Sequence, residues 1–416
     1  MRKQFSQNSW FYALGGIGRD MAAAGLFLNY LLPYALVTKN LSQQAFLGLS
    51  GIMACGRLLE AVLDPLMGSV LDNTQTRWGP FKPWLLIGTL GTEITIVISF
   101  SNQWQGGAYL VAFSILYLGF DIFFTMNDVT YWAILPTLSS DQHERNWVTS
   151  LSALMAGVGA FLTNLLVPFL TIGSHAWGGN AITGYARVAV AFTFVLLFCQ
   201  SLVLFGVHQH PMSRHKQRRA QQLWRQVYQT FRQNDQIRWN ALLLLLYMGV
   251  NTCSTMVLPF YLYLRFGYSG LWPMIVTALG QVATAGLYLF FNRIANRYAR
   301  KTLIHCATLL DVGGYAALLL LGLLVPPQFK GLGIGLIAIF NILPTLGNGL
   351  YLLVLVINIA NTVEYQQWLT GERHEGILLS VRPLMTKIGM AVGQLSGMLI
   401  FQLTGTLALT QKIAKI

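Results

Sequence analysis

The sequence predicts an all-α integral membrane protein, on the evidence of its composition and its long apolar stretches. Hydrophobic residues make up 54% of the 416 residues and charged residues only 10%. An ordinary soluble domain carries about 25% charged residues, and a soluble globule of this length could not cover its surface with so few. The composition therefore excludes soluble enzymes, secreted domains and nucleic-acid-binding proteins, despite a net charge of +13.

Apolar stretches of about 20 residues, the length that crosses a bilayer as a helix, recur along the chain. Polar segments with Gly, Pro, Asn and Asp, such as DNTQTRWGPFKP, separate them and predict loops. We expect eleven spans, at 10–36, 43–71, 84–101, 107–134, 148–172, 185–207, 239–264, 271–291, 302–325, 333–360 and 377–403.

Lysine and arginine are distributed unevenly over the two sides of these spans. With the N-terminus in the cytoplasm, cytoplasmic segments hold 17 of the 27 basic residues and external segments hold five. Positive residues remain on the cytoplasmic side of membrane proteins. We therefore predict a multi-pass protein of the cell membrane with a cytoplasmic N-terminus.

The longest loop predicts how the helices are grouped. Residues 208–238 hold seven basic residues and are expected to form a cytoplasmic linker along the lipid surface. They separate six spans in 1–207 from five in 239–416, which is typical of the major facilitator fold of two six-helix halves. Since TGTLALTQKIAKI, at the C-terminal end, holds no further apolar stretch of about 20 residues, the twelfth span is expected to be missing.

Seven of the fourteen acidic residues fall inside predicted spans, where a charge costs roughly 3 kcal/mol on the insertion scale and often marks a functional site. Glu60 and Asp64 are four residues apart and share one helix face, with Arg57 one turn earlier. Two acids on one face suit a hard cation or a bound proton. The alternative is a structural ion-pair network with Arg57.

The fourth span combines acids with aromatic side chains. Asp121 and Asp128 are seven residues apart with Thr125 between them, and Tyr131 and Trp132 follow about one turn after Asp128. A carboxylate beside an aromatic ring is typical of sugar sites, because hydroxyls bond to the acid and the apolar sugar face stacks on the ring. For Tyr131 the stronger alternative is an aromatic core residue.

Other polar residues carry no predicted role. Glu93 and Asp311 are expected near span ends, and no Ser/His/Asp set, metal cluster or nucleotide-binding loop is present in the sequence. The sequence therefore predicts neither an enzyme nor a resident cofactor or metal. Four cysteines within apolar runs are expected to be buried thiols: Cys55, Cys199, Cys253 and Cys306.

Four sequence blocks run in order from the first predicted span to the eleventh. The blocks are GRD at 18–20, GRLLEAVLDPLMGSVLDNTQTRWGPFKPWLLIGTL at 56–90, MNDVTYWAILPTLSSDQHER at 126–145 and NTVEYQQWLTGERHEGI at 361–377. Together they resemble the glycoside–pentoside–hexuronide:cation symporter family of the major facilitator superfamily, and the resemblance covers nearly the whole chain.

The resemblance implies roles for individual residues. Lys387 matches a lysine of the eleventh span that couples the sugar and cation sites. Implied cation ligands are Glu60, Asp64 and Thr125, and implied sugar-binding residues are Arg19, Asp20, Asp128 and Trp132. Leu63 replaces an amide ligand found in sodium-using members, which favours protons slightly, and Ser152 stands where the family has an arginine.

The resemblance implies sugar:cation symport by alternating access, coupled to H⁺ or Na⁺, in a monomer surrounded by lipid. Asp72 and Arg77 follow the second span and are expected to latch the cytoplasmic side, unless that loop only anchors positive charge inside. Two alternatives remain open. The chain could export another small solute, or it could be a non-transporting, inactive truncated remnant, as the missing twelfth span indicates.

Overall fold

A computed structural model describes residues 2–39, 41–139, 141–173, 176–207, 232, 234–267, 269–326, 328–370 and 375–406. Within these ranges the regular elements are helices and none is a strand. The helices cluster into two compact units, Met1–Ala220 and Gln221–Ala414. The domain ranges predicted from the sequence stay a prediction, because most of the linker (208–231) lies outside the described residues.

The first unit begins with one long irregular helix and continues with five membrane-length helices. The irregular helix consists of α1 (Arg2–Arg19), a π-helical segment (Asp20–Phe27) and α2 (Leu28–Thr38). The other elements are α3 (Gln43–Asn73), α4 (Lys82–Ser101), α5 (Gly106–Ile134), a 3₁₀ turn (Leu135–Thr137), α6 (Gln142–Thr171) and α7 (Ala181–Gly206). Ser42 and Asn180 cap α3 and α7 by accepting hydrogen bonds from the amides of Ala45 and Thr183.

Aromatic rings fill the centre of the first unit. Phe27, in the π-helical segment, stacks on Phe120 of α5 with ring centroids 3.7 Å apart and also contacts Tyr117 and Phe100. α1 packs on α6 and α7, while α3 and α4 pack on α5. Large buried rings of this kind hold the polar side chains of α1, α3 and α5 in fixed positions.

The second unit contains α8 (Asp235–Phe266), α9 (Leu271–Arg297), α10 (Arg300–Leu324), α11 (Lys330–Phe340), α12 (Ile342–Thr370) and α13 (Glu375–Leu403). α8 packs on α13 along a seam of small residues, since Gly389 and Gly393 of α13 lie against Leu245 and Gly249 of α8. Small residues allow such close approach of helices in membranes. α10 and α9 pack on α12.

The predicted number of spans is confirmed. Among the described residues, eleven helical segments are long and apolar enough to cross a membrane. The tenth differs in detail, because Lys330–Leu369 consists of α11 and α12, which meet at the buried Asn341. Large apolar side chains such as Phe194, Phe205 and Leu289 are exposed on the outside of the units, as lipid contact requires.

The prediction that all four cysteines are buried is wrong. They are free thiols, but only Cys199 is buried; Cys253 is half-buried, and Cys55 and Cys306 are exposed. A weakly polar thiol on the outer face of a membrane span can contact lipid, so it does not need a place in the protein interior.

Candidate functional site

The first helix is irregular at the point where its charged residues lie. Arg19 ends α1 and Asp20 begins the π-helical segment Asp20–Phe27. A π-helix widens the backbone, is rare, and is frequently found at functional sites. Its hydrogen bonding is completed from α6, where the hydroxyl of Thr163 donates to the carbonyl of Met21 at 2.9 Å.

Arg19 holds two carboxylates in place. Its Nη2 and Nε atoms donate to Oδ2 of Asp20 at 2.7 and 3.1 Å, and Nη1 lies 3.1 Å from Oδ1 of Asp128 on α5. The arginine side chain is only 5% exposed, whereas those of Asp20 and Asp128 retain 22% and 35%. The Arg19 guanidinium is therefore buried behind the two carboxylates, and Asp20 and Asp128 remain accessible to a ligand.

Aromatic rings complete this cluster. The Arg19 guanidinium lies 4.5 Å from the ring centre of Tyr131 and 5.1 Å from that of Trp132. Tyr131 is fully buried and stacks on Tyr12 at 4.4 Å, and each hydroxyl donates to the other residue's carbonyl. Trp132 is 39% exposed. Tyr131 is thus a core residue, while Trp132 presents a free face beside Asp128.

A second arginine organises α3. Arg57 Nη1 donates to Oε2 of Glu60 at 2.8 Å, and Nη2 donates to the hydroxyl of Tyr117 on α5 at 2.9 Å. All three side chains are buried. The ion pair between Arg57 and Glu60, considered as a structural alternative in the sequence analysis, is present. It also includes Tyr117, which no sequence pattern singled out.

Gly56 brings α3 and α5 together. A Cβ atom at this position would overlap a carboxylate oxygen of Asp121 and the ring of Tyr117. Because Gly48 likewise faces Leu110, residue numbers rise together along both helices, which therefore run parallel. One turn beyond Gly56 and Asp121, this register places Glu60 level with Thr125.

The next turn carries the remaining acids of the predicted site. The same register places Asp64 of α3 level with Asp128 of α5. Asp64 is half-buried and precedes Pro65, which has no N–H and so leaves the carbonyl of Ala61 without its usual helical donor. The hydroxyl of Thr125 is buried without a hydrogen-bond partner in the described part of the chain. Carboxylate, carbonyl and hydroxyl oxygens therefore lie on adjoining turns, as a small cation would require.

The other predicted residues lie elsewhere. Lys387 is half-buried on α13 in the second unit. Arg77 is exposed in the loop after α3; Asp72 belongs to α3, but its side chain lies outside the described residues. The coupling role of Lys387 and the gating roles of Asp72 and Arg77 stay predictions.

Two acids were placed incorrectly by the sequence. Glu93 lies in the middle of α4 and Asp311 in the middle of α10, not near span ends. Asp311 accepts a hydrogen bond from the amide of Asn348 at 3.1 Å. A buried oxygen of Glu93 has no partner among the described residues. The predicted spans 84–101 and 302–325 agree closely with α4 and α10 and already place both acids near mid-span, so the expectation of a place near a span end did not follow from them.

The Tyr117 hydroxyl should stabilise the folded protein, because it accepts from a buried guanidinium. We expect Tyr117→Phe to leave one N–H of Arg57 unsatisfied and to cost about 1–3 kcal/mol. The measurement is thermal unfolding of the purified protein in detergent. Tyr298→Phe, at a half-exposed position after α9, is the control and should not change the apparent Tm. Equal Tm values for Tyr117→Phe and the parent would contradict this role.

Comparison with known proteins identifies the family. A model of the family described as "MFS/sugar transport protein" matches residues 11–415. A lactose permease of Lactobacillus helveticus is 31% identical over 405 residues, covering 92% of this chain and 60% of that protein. A raffinose carrier protein of Pediococcus pentosaceus is 26% identical over 400 residues, with the same coverage of 92% and 60%. The chain thus spans about 60% of the length of these relatives.

Solved structures agree on the fold. The crystal structure of a D-xylose-proton symporter matches with a TM-score of 0.65 at 14% identity, covering 98% of this chain and 95% of that chain. The nucleoside transporter NupG matches with a TM-score of 0.63 at 12% identity, covering 99% and 96%. At these identities the likeness concerns the fold alone. The family match and the relatives confirm the resemblance found in the sequence: the chain belongs to the MFS/sugar transport protein family, among the glycoside–pentoside–hexuronide:cation symporters of the major facilitator superfamily.

Proposed function

We propose that this chain carries a sugar across the membrane together with a cation, by alternating access. The observation that supports this most is the arrangement of α1, α3 and α5 in the first unit. Asp20, Asp128 and Trp132 offer two accessible acids and an exposed aromatic face around one buried arginine. Asp64 lies level with Asp128 on the adjacent helix, so a cation and a sugar bound there would be near neighbours.

The proposed substrate is a glycoside. Acids bind sugar hydroxyls and an indole ring stacks on the apolar face of a pyranose, which fits the side chains of Asp20, Asp128 and Trp132. Curated relatives bear the names lactose permease and raffinose carrier protein, so galactose-containing oligosaccharides are the first compounds to try. Pentosides and hexuronides complete the class that the family implies.

The coupling ion is H⁺ or Na⁺, and the geometry favours H⁺. One oxygen of Glu60 is already bound to the Arg57 guanidinium, and a sodium ion at that oxygen would face a positive charge. Leu63, on the same turn as Glu60 and Asp64, offers no oxygen ligand. A proton needs only one carboxylate oxygen, whereas Na⁺ needs several oxygen ligands at once.

Coupling would follow from electrostatics between neighbouring turns. A cation at Asp64 removes a negative charge close to Asp128, so the sugar and the cation each change the affinity of the site for the other by the same factor. We propose that the empty and the doubly loaded carrier cross readily and that the singly loaded carrier does not.

For orientation we propose a cytoplasmic N-terminus in the cell membrane. The support is the excess of basic residues on that side, 17 against five. Protease added to intact cells should therefore leave an N-terminal tag uncut. Cleavage of the tag in intact cells would show that the N-terminus lies outside, opposite to the proposed orientation.

Uptake into membrane vesicles tests the function. We expect a labelled glycoside from a panel of glycosides, pentosides and glucuronides to accumulate above its equilibrium level when a proton or sodium gradient is imposed. Asp64→Asn should abolish this accumulation but retain sugar counterflow, because the amide carries no negative charge and cannot take up a proton. Accumulation that responds to sodium and not to the proton gradient would overturn the assignment of H⁺.

The control is Glu93→Gln, which removes an acid from α4, outside both arginine clusters. It should leave accumulation and counterflow at parental levels. Full accumulation by Asp64→Asn would contradict the cation site. The absence of any sugar movement in a correctly inserted parent protein would contradict symport itself.

Trp132 should contribute to sugar affinity through its exposed ring. We expect Trp132→Ala to raise the Kd for the transported glycoside roughly tenfold, equivalent to about 1.4 kcal/mol, because the stacking surface is lost. Binding is measured on purified protein by calorimetry. Trp147→Ala removes a similarly exposed tryptophan from α6 and should leave the Kd unchanged. An equal effect of both substitutions would show that Trp132 has no specific part in binding.

A further inference from the structure

The turn between α9 and α10 carries a concentrated positive charge. Four basic residues fall within 293–301, and all of them are exposed: Arg293, Arg297, Arg300 and Lys301. The sequence from 236 to 310 holds no acidic residue, and none of the four forms an ion pair within the part of the chain that the structure describes. Their charge is therefore available to an anion from outside the chain.

A cavity lies directly beside this charge. It has a volume of about 210 Å³ and lies between α9, α10 and α12. Among the described residues, its walls are apolar side chains and one arginine: Phe291, Ala295, Leu303, Val354, Ile357 and Arg300. Phe291 ends one membrane span and Arg300 begins the next. The cavity therefore lies at the depth where lipid headgroups meet the hydrocarbon core.

Arg300 is held at this cavity by a neutral partner. With the Asn361 amide oriented to satisfy both groups, its side-chain oxygen accepts from both terminal nitrogens of Arg300, from Nη2 at 2.9 Å. Asn361 lies on α12 one turn after Ile357, so the guanidinium reaches from α10 to α12 at one end of the cavity. Glu364, the next acid on α12, is exposed and forms no ion pair within the described ranges.

This arrangement fixes the guanidinium without cancelling its charge. A guanidinium has five N–H donors, of which the amide oxygen takes one on each terminal nitrogen. The remaining donors are suited to phosphate, because arginine binds phosphate oxygens through paired charge-assisted hydrogen bonds. Basic pockets between membrane helices are known to bind anionic lipid headgroups in this way.

We propose that this cavity binds an anionic phospholipid, with its phosphate at Arg300 and part of an acyl chain against the apolar walls. A soluble phosphate compound would leave those walls without an apolar ligand group. A zwitterionic lipid would bring a positively charged amine close to four basic residues. Phosphatidylglycerol has one negative charge, no amine and two acyl chains, so it fits both features. The site does not depend on the proposed symport function.

Binding of defined lipids to the purified full-length protein tests the site. Phosphatidylglycerol and phosphatidylcholine with the same acyl chains are titrated separately into the protein in detergent, and bound lipid is counted by native mass spectrometry. We expect the parent to bind a first phosphatidylglycerol about tenfold more tightly than phosphatidylcholine, because only the former leaves its charge uncompensated beside the basic residues.

Two variants separate the phosphate contact from the apolar cavity. Arg300→Gln should raise the Kd for phosphatidylglycerol about tenfold, because the charge that faces the phosphate is lost. Ala295→Leu should raise this Kd as well, because the larger side chain fills the cavity while every charge stays in place. Arg187→Gln removes an exposed arginine from α7 in the other unit and is the matched control, with an unchanged Kd.

Thermal unfolding shows whether each variant is folded, and if one of the two is not, the other decides the site together with the lipid preference of the parent. Equal affinity of the parent for the two lipids would overturn the proposal, as would an unchanged Kd in folded Arg300→Gln. Displacement of the lipid by excess glycerol phosphate, with unchanged binding in Ala295→Leu, would identify a site for soluble phosphates and overturn it too. A parent that moves no sugar would contradict symport and leave this result unaffected.

Discussion

Charged groups inside a membrane span must be neutralised or hydrogen-bonded, and the first unit meets this constraint with two buried arginines. Arg19 binds Asp20 and reaches Asp128 on α5, while Arg57 binds Glu60 and the phenol of Tyr117. In a low-dielectric environment an unpaired charge is far more costly than in water. The positions of Asp20, Asp128 and Glu60 are therefore set by the arginines beside them.

The helix backbone is irregular near both arginine clusters. The first helix adopts π-helical geometry immediately after Arg19, and Thr163 supplies the hydrogen bond that the widened turn needs. In α3, Pro65 follows Asp64 and frees a carbonyl one turn earlier. Irregular helices of this kind place polar groups inside a span where a regular helix would satisfy all its own backbone groups. Of the predicted sugar and cation residues, Asp20 lies in the first of these irregular turns and Glu60 and Asp64 lie at the second.

The second unit uses neutral partners for its acid. Asp311 accepts from the Asn348 amide, and the Tyr247 hydroxyl donates to the Asn348 carbonyl at 3.0 Å. Among the described residues Asp311 forms no ion pair. The two units thus treat intramembrane acids differently. In the first unit Asp20, Asp128 and Glu60 pair with arginine, whereas in the second Asp311 accepts from a neutral amide.

The sequence by itself determined the membrane class, the eleven spans and the residues of the Arg19 cluster, because apolar length, helical spacing and four sequence blocks are local properties of the chain. Its errors concern depth and exposure. Glu93 and Asp311 lie in mid-helix, and Cys55 and Cys306 lie on the outer surface. Only the tertiary structure brought Tyr117 to Arg57 and Asp121 to Gly56, since these contacts depend on two helices meeting across about sixty residues of intervening sequence. The spacing of residues along one helix cannot reveal which face of another helix that helix packs against.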